Sequence, residues 1–292
     1  MRREATSGLI IVDKPEGITS HDVVARMRKI VGTRKIGHAG TLDPMATGIL
    51  VLGVERATKL LGYVMGHDKT YQATVRLGAS TTTDDREGEI LATVDASGID
   101  EEQVRAAFAR QVGQISQVPS SVSAIKVAGR RAYDLVREGE AVELKAREVS
   151  VHSIEIGRIS LGSSVDVDVT VRCSAGTYIR AIARDVGADL GLGGHLTALR
   201  RTATGDVDES MALSLEAIAE LVDPVAVPLD EAVRRTFPVR LLSAEEAREL
   251  TFGRRIESDG DSETIVGAID PDGHAVALID GRGKPKVVFT PA

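Results

Sequence analysis

The spacing of apolar residues divides the N-terminal third of the chain into alternating strands and helices. Unbroken apolar runs at residues 9–12 and 49–52 predict two short buried strands. Between them, apolar residues recur three and four positions apart over residues 21–30, which predicts a helix capped by Thr19 or Ser20. The same reasoning predicts a short helix at 57–65, a strand at 70–77 and a helix from Asp100 to residue 108.

A strict two-residue alternation marks the middle of the chain. Valines at every second position from Val165 to Val171 predict a strand over residues 164–173, and Cys173 continues their face as a small core residue. A helix over residues 177–190 and a polar strand over residues 195–203 follow. Upstream of them, the pattern predicts a strand at 121–127 and a helix at 132–138.

Proline breaks separate a small C-terminal module from the rest of the chain. The pairs Asp223-Pro224 and Val227-Pro228 interrupt an acidic stretch with helix-like pieces, so we predict a large domain at 1–230 and a module at 236–292. The module holds a predicted helix at 244–252, followed by short strands separated by Asp-Gly and Gly-Arg-Gly turns. These strands, at 263–269, 274–279 and 286–290, amount to a small β-barrel.

Charge is distributed unevenly over a chain whose net charge is −7. Residues 14–59 hold eight Lys and Arg against four Asp and Glu, whereas residues 206–249 hold four against eleven. The basic segment is either a patch that binds a polyanion such as RNA or a solvated helix face. A single cysteine excludes an intrachain disulfide, and no apolar stretch has the length of a signal sequence or membrane span. We therefore expect a cytoplasmic protein.

The segment 37–44 is the strongest candidate for chemistry. Gly37, Gly40 and Pro44 prevent a continuous helix or central strand, so Asp43 lies on a conformationally defined loop. No histidine or cysteine spacing fits a metal site, no phosphate-loop or dinucleotide motif is complete, and no GxSxG sequence is present. What remains is a lone carboxylate that attacks a sugar carbon or acts as a base, with neither metal nor cofactor expected.

Several long motifs resemble, in the same order, those of the bacterial tRNA pseudouridine-55 synthase family (TruB type). They are residues 14–24 (KPEGITSHDVV), 37–59, 174–180 (SAGTYIR) and 195–201 (HLTALRR), together with Tyr71 in the sequence KTY. The resemblance spans about residues 8–205. The C-terminal module resembles the family's small RNA-binding appendage, a PUA-like domain.

The resemblance implies an α+β fold: a mixed, largely antiparallel sheet flanked by helices, with a PUA-like β-barrel module at one end. It also implies isomerisation of uridine-55 to pseudouridine in the tRNA T-loop. Asp43 matches the catalytic aspartate, which either adds to ribose C1′ or removes the 2′ proton to give a glycal, and both routes stay open. Its catalytic partners would be Tyr71, stacked on the flipped base, and Arg180, paired bidentately with Asp43 to keep it ionised.

Four more residues are expected to bind the substrate or support its site. His38 would fill the space that the flipped uridine leaves, Tyr178 would lie beside Tyr71 or the base, and Leu199 would contact the substrate. Lys14 would buttress the site. Candidates for phosphate contacts are Arg26, Arg28, Lys29, Arg34, Lys35, Lys126, Arg130, Arg131, Arg200 and Arg201.

The expected partner is the T-arm of tRNA. We expect the protein to bind it as a monomer and to have no membrane as a partner. A catalytic subunit that uses a guide RNA is disfavoured because the chain lacks long basic extensions. An alternative function is a tRNA-binding or tRNA-folding chaperone in which catalysis is secondary. Growth rescue by the wild type and by an Asp43 variant would separate the enzyme from the chaperone.

Overall fold

The computed structural model describes residues 5–120 and 145–291, and the backbone of residues 126–127 and 130–131. The predicted helix at 132–138 and most of the predicted strand at 121–127 lie outside the described residues, as do the side chains of Lys126, Arg130 and Arg131.

The N-terminal elements alternate as the sequence pattern predicts. In chain order they are β1 (Gly8–Lys14), α1 (Ser20–Val31), β2 (Ile36–Ala39), β3 (Thr47–Val54), a 3-10 segment (Glu55–Leu60), α2 (Leu61–Val64), β4 (Lys69–Leu77), β5 (Ala79–Thr81), β6 (Ile90–Thr93), α3 (Glu101–Ala109) and β7 (Gly113–Gln117).

The C-terminal elements include two long strands and the small module. They are β8 (Lys126–Val127), β9 (Arg130–Arg131), β10 (Arg147–Ser160), β11 (Val165–Cys173), α4 (Ile179–Asp189), β12 (Gly194–Thr204), β13 (Val207–Asp208), a 3-10 segment (Glu209–Met211), α5 (Leu215–Ala219), β14 (Val227–Pro228), α6 (Leu229–Thr236), β15 (Val239–Leu241), α7 (Ala244–Thr251), β16 (Ile265–Ile269), β17 (Ala275–Asp280) and β18 (Pro285–Val288).

Ten strands form one large sheet. Its main path runs β14-β1-β3-β12-β4-β11-β10-β7, with β2 added to β3 and β13 added to β12. Neighbouring strands are antiparallel except for β3 and β12, where Arg200 and Arg201 lie beside Thr47 and Gly48 in a parallel pair. The predicted mixed, largely antiparallel sheet is therefore confirmed.

Helices cover the apolar faces of this sheet. Helix α1 places Met27 against β1 and β3, and Thr19 caps it in a reciprocal capping box with Asp22. Helices α3 and α4 cover the valine face of β11, and Phe108 is fully buried there. Cys173 lies in the same cluster with no exposed surface, as its position in the alternation predicts.

The sequence pattern missed β10, although this strand has 14 residues. Its pairing with β11 shifts register between Val151 and Ser153 and again between Ile156 and Ile159. Each shift inserts a residue and reverses which positions face inwards, so β10 shows no sustained two-residue period.

The C-terminal module is a four-stranded sheet in the order β15-β16-β17-β18, with α7 packed on it. Helix α6 joins this module to the large sheet, because Leu229 and Val233 share one buried cluster with Ile269 and Phe289 of the module and with Ile11 of β1. The two parts therefore meet through a common apolar core. Among the residues that the structure describes, no helix combines the length and apolar character that a membrane crossing requires.

Candidate active site

The loop from Gly40 to Ala46, between β2 and β3, is held from below by polar contacts. Ser20, at the start of α1, accepts a hydrogen bond from the Leu42 N–H (2.9 Å) and donates one to the Leu42 carbonyl (3.1 Å). Lys14 has no exposed surface, and its Nζ donates to the carbonyls of Pro15 (2.9 Å), Pro44 (3.2 Å) and Ala46 (2.7 Å). These contacts fix the backbone on both sides of Asp43.

Asp43 faces a buried arginine that two carboxylates share. Nε of Arg180 lies 3.1 Å from an Asp43 carboxylate oxygen, and its Nη1 lies 3.3 Å from Asp85 and donates to the Thr83 carbonyl (2.8 Å). The guanidinium therefore contacts Asp85 and Thr83 as well as Asp43, and the bidentate pairing with Asp43 stays a prediction. The contact with Asp85 fixes the orientation of Arg180 from the side away from Asp43.

Burial and charge oppose each other at Asp43. Burial raises the pKa of the Asp43 carboxyl above its ordinary value, Arg180 lowers it, and Asp85 raises it again. Arg180 thus favours the ionised carboxylate, as the sequence-based prediction assumed, while burial and Asp85 act against it. The Asp43 side chain still exposes 35% of its surface, so its oxygen atoms remain accessible to a ligand.

Tyr71 lies on β4 with its side chain buried beside two cations. Burial raises the pKa of its hydroxyl, and the positive charge of Arg201 opposes the rise. Lys69, two residues earlier on the same face, donates to the carbonyls of Met65 (2.9 Å) and His67 (2.6 Å), and burial lowers its pKa to about 8.

Tyr178 is positioned by a buried glutamine. The side-chain amide of Gln117, at the end of β7, accepts from the Tyr178 N–H (2.8 Å) and donates to the Tyr178 carbonyl (3.1 Å). Because Tyr178 is the cap residue of α4, the same contacts fix the helix end that carries Arg180.

These residues surround one cavity of about 280 Å³. Five of the seven predicted site residues line it, namely Asp43, Tyr71, Tyr178, Arg180 and Leu199. A larger groove of about 470 Å³ includes Leu199 but neither Asp43 nor Arg180, so we assign the chemistry to the smaller cavity. The described residues that line it supply one carboxylate, two guanidinium groups, one ammonium and two aromatic rings, which suit a polar planar ligand joined to a sugar.

The other two predicted residues lie outside the cavity lining. Lys14 is beneath the loop, where it braces the backbone and has no exposed surface with which to reach a ligand. His38 is on β2, opposite Leu52, and its ring meets the ring of His21 edge to face with centroids 5.3 Å apart.

Two predicted phosphate contacts have other partners. Arg201 is 1% exposed and turned into the protein, so it cannot reach a phosphate on the surface. Arg200 points the other way and forms ion pairs with Asp13 (2.9 Å) and Glu209 (2.6 Å). Within the described residues, no group of three His, Cys, Asp or Glu side chains is arranged to hold a metal ion.

Sequence reasoning did not predict that four polar residues lie buried at this site. They are Lys69, Asp85, Gln117 and Arg201, and it had assigned Arg201 to the surface. All are buried, although charged and amide side chains are rarely buried without a reason. Lys69 and Asp85 lie near predicted strands but show no periodic signal of their own. Their positions became interpretable only when the order of the strands in the large sheet was known.

Sequence profiles of one family cover nearly the whole chain. The profile described as the N-terminal domain of TruB family pseudouridylate synthase matches residues 28–179. The profile of the tRNA pseudouridylate synthase B C-terminal domain matches residues 180–236, and that of tRNA pseudouridine synthase II, C-terminal, matches residues 237–290.

Curated relatives match the chain over almost their full lengths. The tRNA pseudouridine synthase B of Arthrobacter sp. (strain FB24) is 53% identical over 300 residues, covering 98% of this chain and 97% of the relative. The protein of the same name from Thermobifida fusca (strain YX) is 55% identical over 290 residues, covering 97% of this chain and 98% of the relative.

Solved structures share the fold. A chain in the crystal structure of a Cbf5-Nop10-Gar1 complex is 26% identical, with a TM-score of 0.72, and the match covers 97% of this chain and 85% of that one. A chain in an H/ACA RNP bound to a substrate RNA containing 2′-deoxyuridine has the same TM-score and coverage at 24% identity, which supports the fold alone.

Proposed function

Because this chain belongs to the TruB family of pseudouridylate synthases, we propose that it converts uridine-55 in the T-loop of tRNA to pseudouridine. The chain is a pseudouridine synthase, an isomerase, and relatives that match over nearly their full lengths are named tRNA pseudouridine synthase B. The nucleotide position and the roles of individual residues are our proposal.

The proposed reaction is an isomerisation whose atoms balance without a donor group. The bond between ribose C1′ and uracil N1 breaks, the uracil turns, and C5 bonds to C1′. C5 then loses its proton and N1 gains one. Asp43 either adds to C1′ or removes the 2′ proton, and each route needs an ionised carboxylate beneath the ribose.

The observation that carries the proposal is the pairing of Asp43 with Arg180 in a cavity that Tyr71 also lines. The pair supplies a held carboxylate, and the tyrosine supplies a ring on which a uracil can stack. A base reaches such a cavity only after it leaves its stack in the RNA, as in other enzymes that act on a flipped nucleotide. His38 would occupy the vacated space, and Leu199 would contact the base.

Tyr71 has a second proposed task at the end of the reaction. Its hydroxyl would accept the C5 proton from the rearranged base, because a phenolic oxygen beside the ring is placed for general-base catalysis. Arg180 would keep Asp43 aimed at the ribose, since its other nitrogen is fixed by Asp85.

The test of Asp43 is its replacement by asparagine. Asp43→Asn retains the shape of the side chain but removes the carboxylate, so we expect pseudouridine formation to fall by at least about 10⁴-fold. Unmodified tRNA transcript would be incubated with purified protein alone, and pseudouridine mapped by chemical probing. We expect the wild type to modify only uridine-55 under these conditions, without a guide RNA.

Binding of the same transcript provides the control. The Kd of Asp43→Asn for tRNA should remain within a few fold of the wild-type value, because the RNA-binding surface is unchanged. Turnover by the asparagine variant would remove Asp43 from the mechanism. Tight tRNA binding by a wild type that forms no pseudouridine would favour the chaperone function instead.

A further inference from the structure

Arg201 is a fully internal residue at the junction of three strands. It lies opposite Tyr71 in the antiparallel pair of β12 and β4 and beside Gly48 in the parallel pair of β12 and β3. A Cβ atom at Gly48 would lie 2.2 Å from the Arg201 carbonyl oxygen, so only glycine allows β3 to approach this closely. The guanidinium is directed into the protein, where Arg201 lines the inner wall of the cavity.

The Arg201 side chain connects the two sides of the active site. Its Nε donates to the Ile49 carbonyl (2.7 Å) and its Nη2 to the carbonyl of Gly40 (3.1 Å), which begins the loop that carries Asp43. Arg201 also lies opposite Tyr71 on the neighbouring strand, and its charge opposes the rise in the pKa of the Tyr71 hydroxyl that burial causes. Arg201 thus contacts the loop of Asp43 and acts electrostatically on the side chain of Tyr71.

Among the described residues, the charge of Arg201 is not balanced by a carboxylate. Arg201 forms no ion pair with any of them, and its side chain donates hydrogen bonds to two neutral carbonyls. Lys69 adds a second cation nearby, and burial keeps Cys173 a neutral thiol by raising its pKa to about 11. A buried charge without a counter-ion is unfavourable, so a role other than stability is expected for it.

We propose that Arg201 is a positioning residue that holds the Tyr71 hydroxyl toward the cavity and stabilises negative charge on its oxygen during removal of the C5 proton. The inference rests on the proposed function and adds a residue to it. The Tyr71 hydroxyl gives its proton to water, and the resulting oxygen takes the proton from C5. The electron pair of the C5–H bond then restores the C5–C6 double bond, while the π pair of the C6–N1 double bond moves to N1, which takes a proton from water.

The experiment compares Arg201→Lys and Arg201→Gln with the wild type on tRNA carrying protium or deuterium at uracil C5. A single-turnover rate and its isotope effect are measured for each protein. Loss of one donor to a developing oxyanion slows catalysis by about 10²-fold, so we expect a loss of this size for glutamine and a smaller one for lysine. We also expect a larger C5 isotope effect in both variants than in the wild type, because proton removal becomes more rate-limiting.

Two control proteins make the result specific. Arg200→Lys changes the adjacent arginine, which forms surface ion pairs, and should leave the isotope effect at the wild-type value. In a Tyr71→Phe background, adding Arg201→Lys should slow the reaction far less than it does alone, because the shared partner is absent.

Each other outcome overturns the inference. A slower reaction with an unchanged isotope effect would mean that Arg201 acts through the Asp43 loop. If Arg201→Lys failed to fold, the role of Arg201 would be structural. If instead the wild type formed no pseudouridine, the proposed function itself would fail, and the two failures are therefore distinguishable.

Discussion

The buried Lys14 beneath the Asp43 loop gives the sharpest quantitative prediction. Burial lowers the pKa of Lys14 from 10.5 to about 8. A shift of this size means that keeping Lys14 charged in the folded state at neutral pH costs roughly 3 kcal/mol. The ammonium nevertheless donates to three carbonyls, and all three would lose this donor in Lys14→Met. The Pro44 carbonyl would keep the hydrogen bond from the Gly17 N–H, so the loss falls on Pro15 and Ala46. A lost donor costs about 1–3 kcal/mol for each buried carbonyl.

These two effects nearly cancel at neutral pH, so Lys14→Met should change the unfolding free energy by less than about 3 kcal/mol. The cost of the buried charge and the gain from the hydrogen bonds no longer cancel as the pH rises. Between the folded pKa near 8 and the unfolded value of 10.5, the unfolded chain binds the extra proton, so Lys14 makes wild-type stability increase with pH. The wild type should therefore gain about 2 kcal/mol relative to the variant between about pH 7.5 and about pH 9.5.

The assay is denaturant unfolding of both proteins across this pH range. Taking the difference between them removes the contribution of Lys69, which is buried in both. Lys29→Met, which removes an exposed lysine of α1, is the matched control and should show no comparable change with pH. A constant difference between wild type and Lys14→Met would refute the conclusion that a charged amine is buried beneath the loop. Activity of the variant should fall as well, because the backbone around Asp43 loses its brace.

Two further substitutions test the geometry of the site. Gly48→Ala should destabilise the protein by more than about 2 kcal/mol in thermal unfolding, since its φ of +94° is strained for alanine and the new Cβ meets Arg201. Gly98→Ala, where a Cβ has open space, should have little effect, and equal losses at both glycines would contradict this reasoning. Arg180→Lys should lower the single-turnover rate constant of pseudouridine formation by about 10²-fold, because one ammonium cannot hold both carboxylates in the guanidinium geometry. A rate constant near the wild-type value would show that the shared pairing is dispensable.

Much of the fold was predictable because its strongest signals are local. The alternating valines of β11 determined both the strand and the buried face that carries Cys173. The capping pattern before α1 determined where that helix begins, and Thr19 occupies the cap. The strand β10 escaped prediction because two register shifts interrupt its alternation, and pairing partners cannot be inferred from such a segment alone.

The candidate site was also predictable only in part. Glycine and proline around Asp43 marked its loop, and motif resemblance selected Tyr71, Tyr178, Arg180 and Leu199, which line one cavity. Resemblance could not show that Arg180 is shared with Asp85 or that burial raises the pKa of Asp43. Those features depend on how much protein and which charges surround a carboxylate, and such surroundings come from distant parts of the chain.

The sequence by itself determined the local elements, the constrained loop of Asp43 and the family to which the chain belongs, because these depend on residue types at fixed spacing. Only the tertiary structure decided which of two adjacent arginines, Arg200 or Arg201, enters the protein. Successive residues of a strand point to opposite faces, and the register with Gly48 and Tyr71 determines which face lies behind the cavity. That choice turned a predicted surface contact into an internal charge beside the active-site tyrosine.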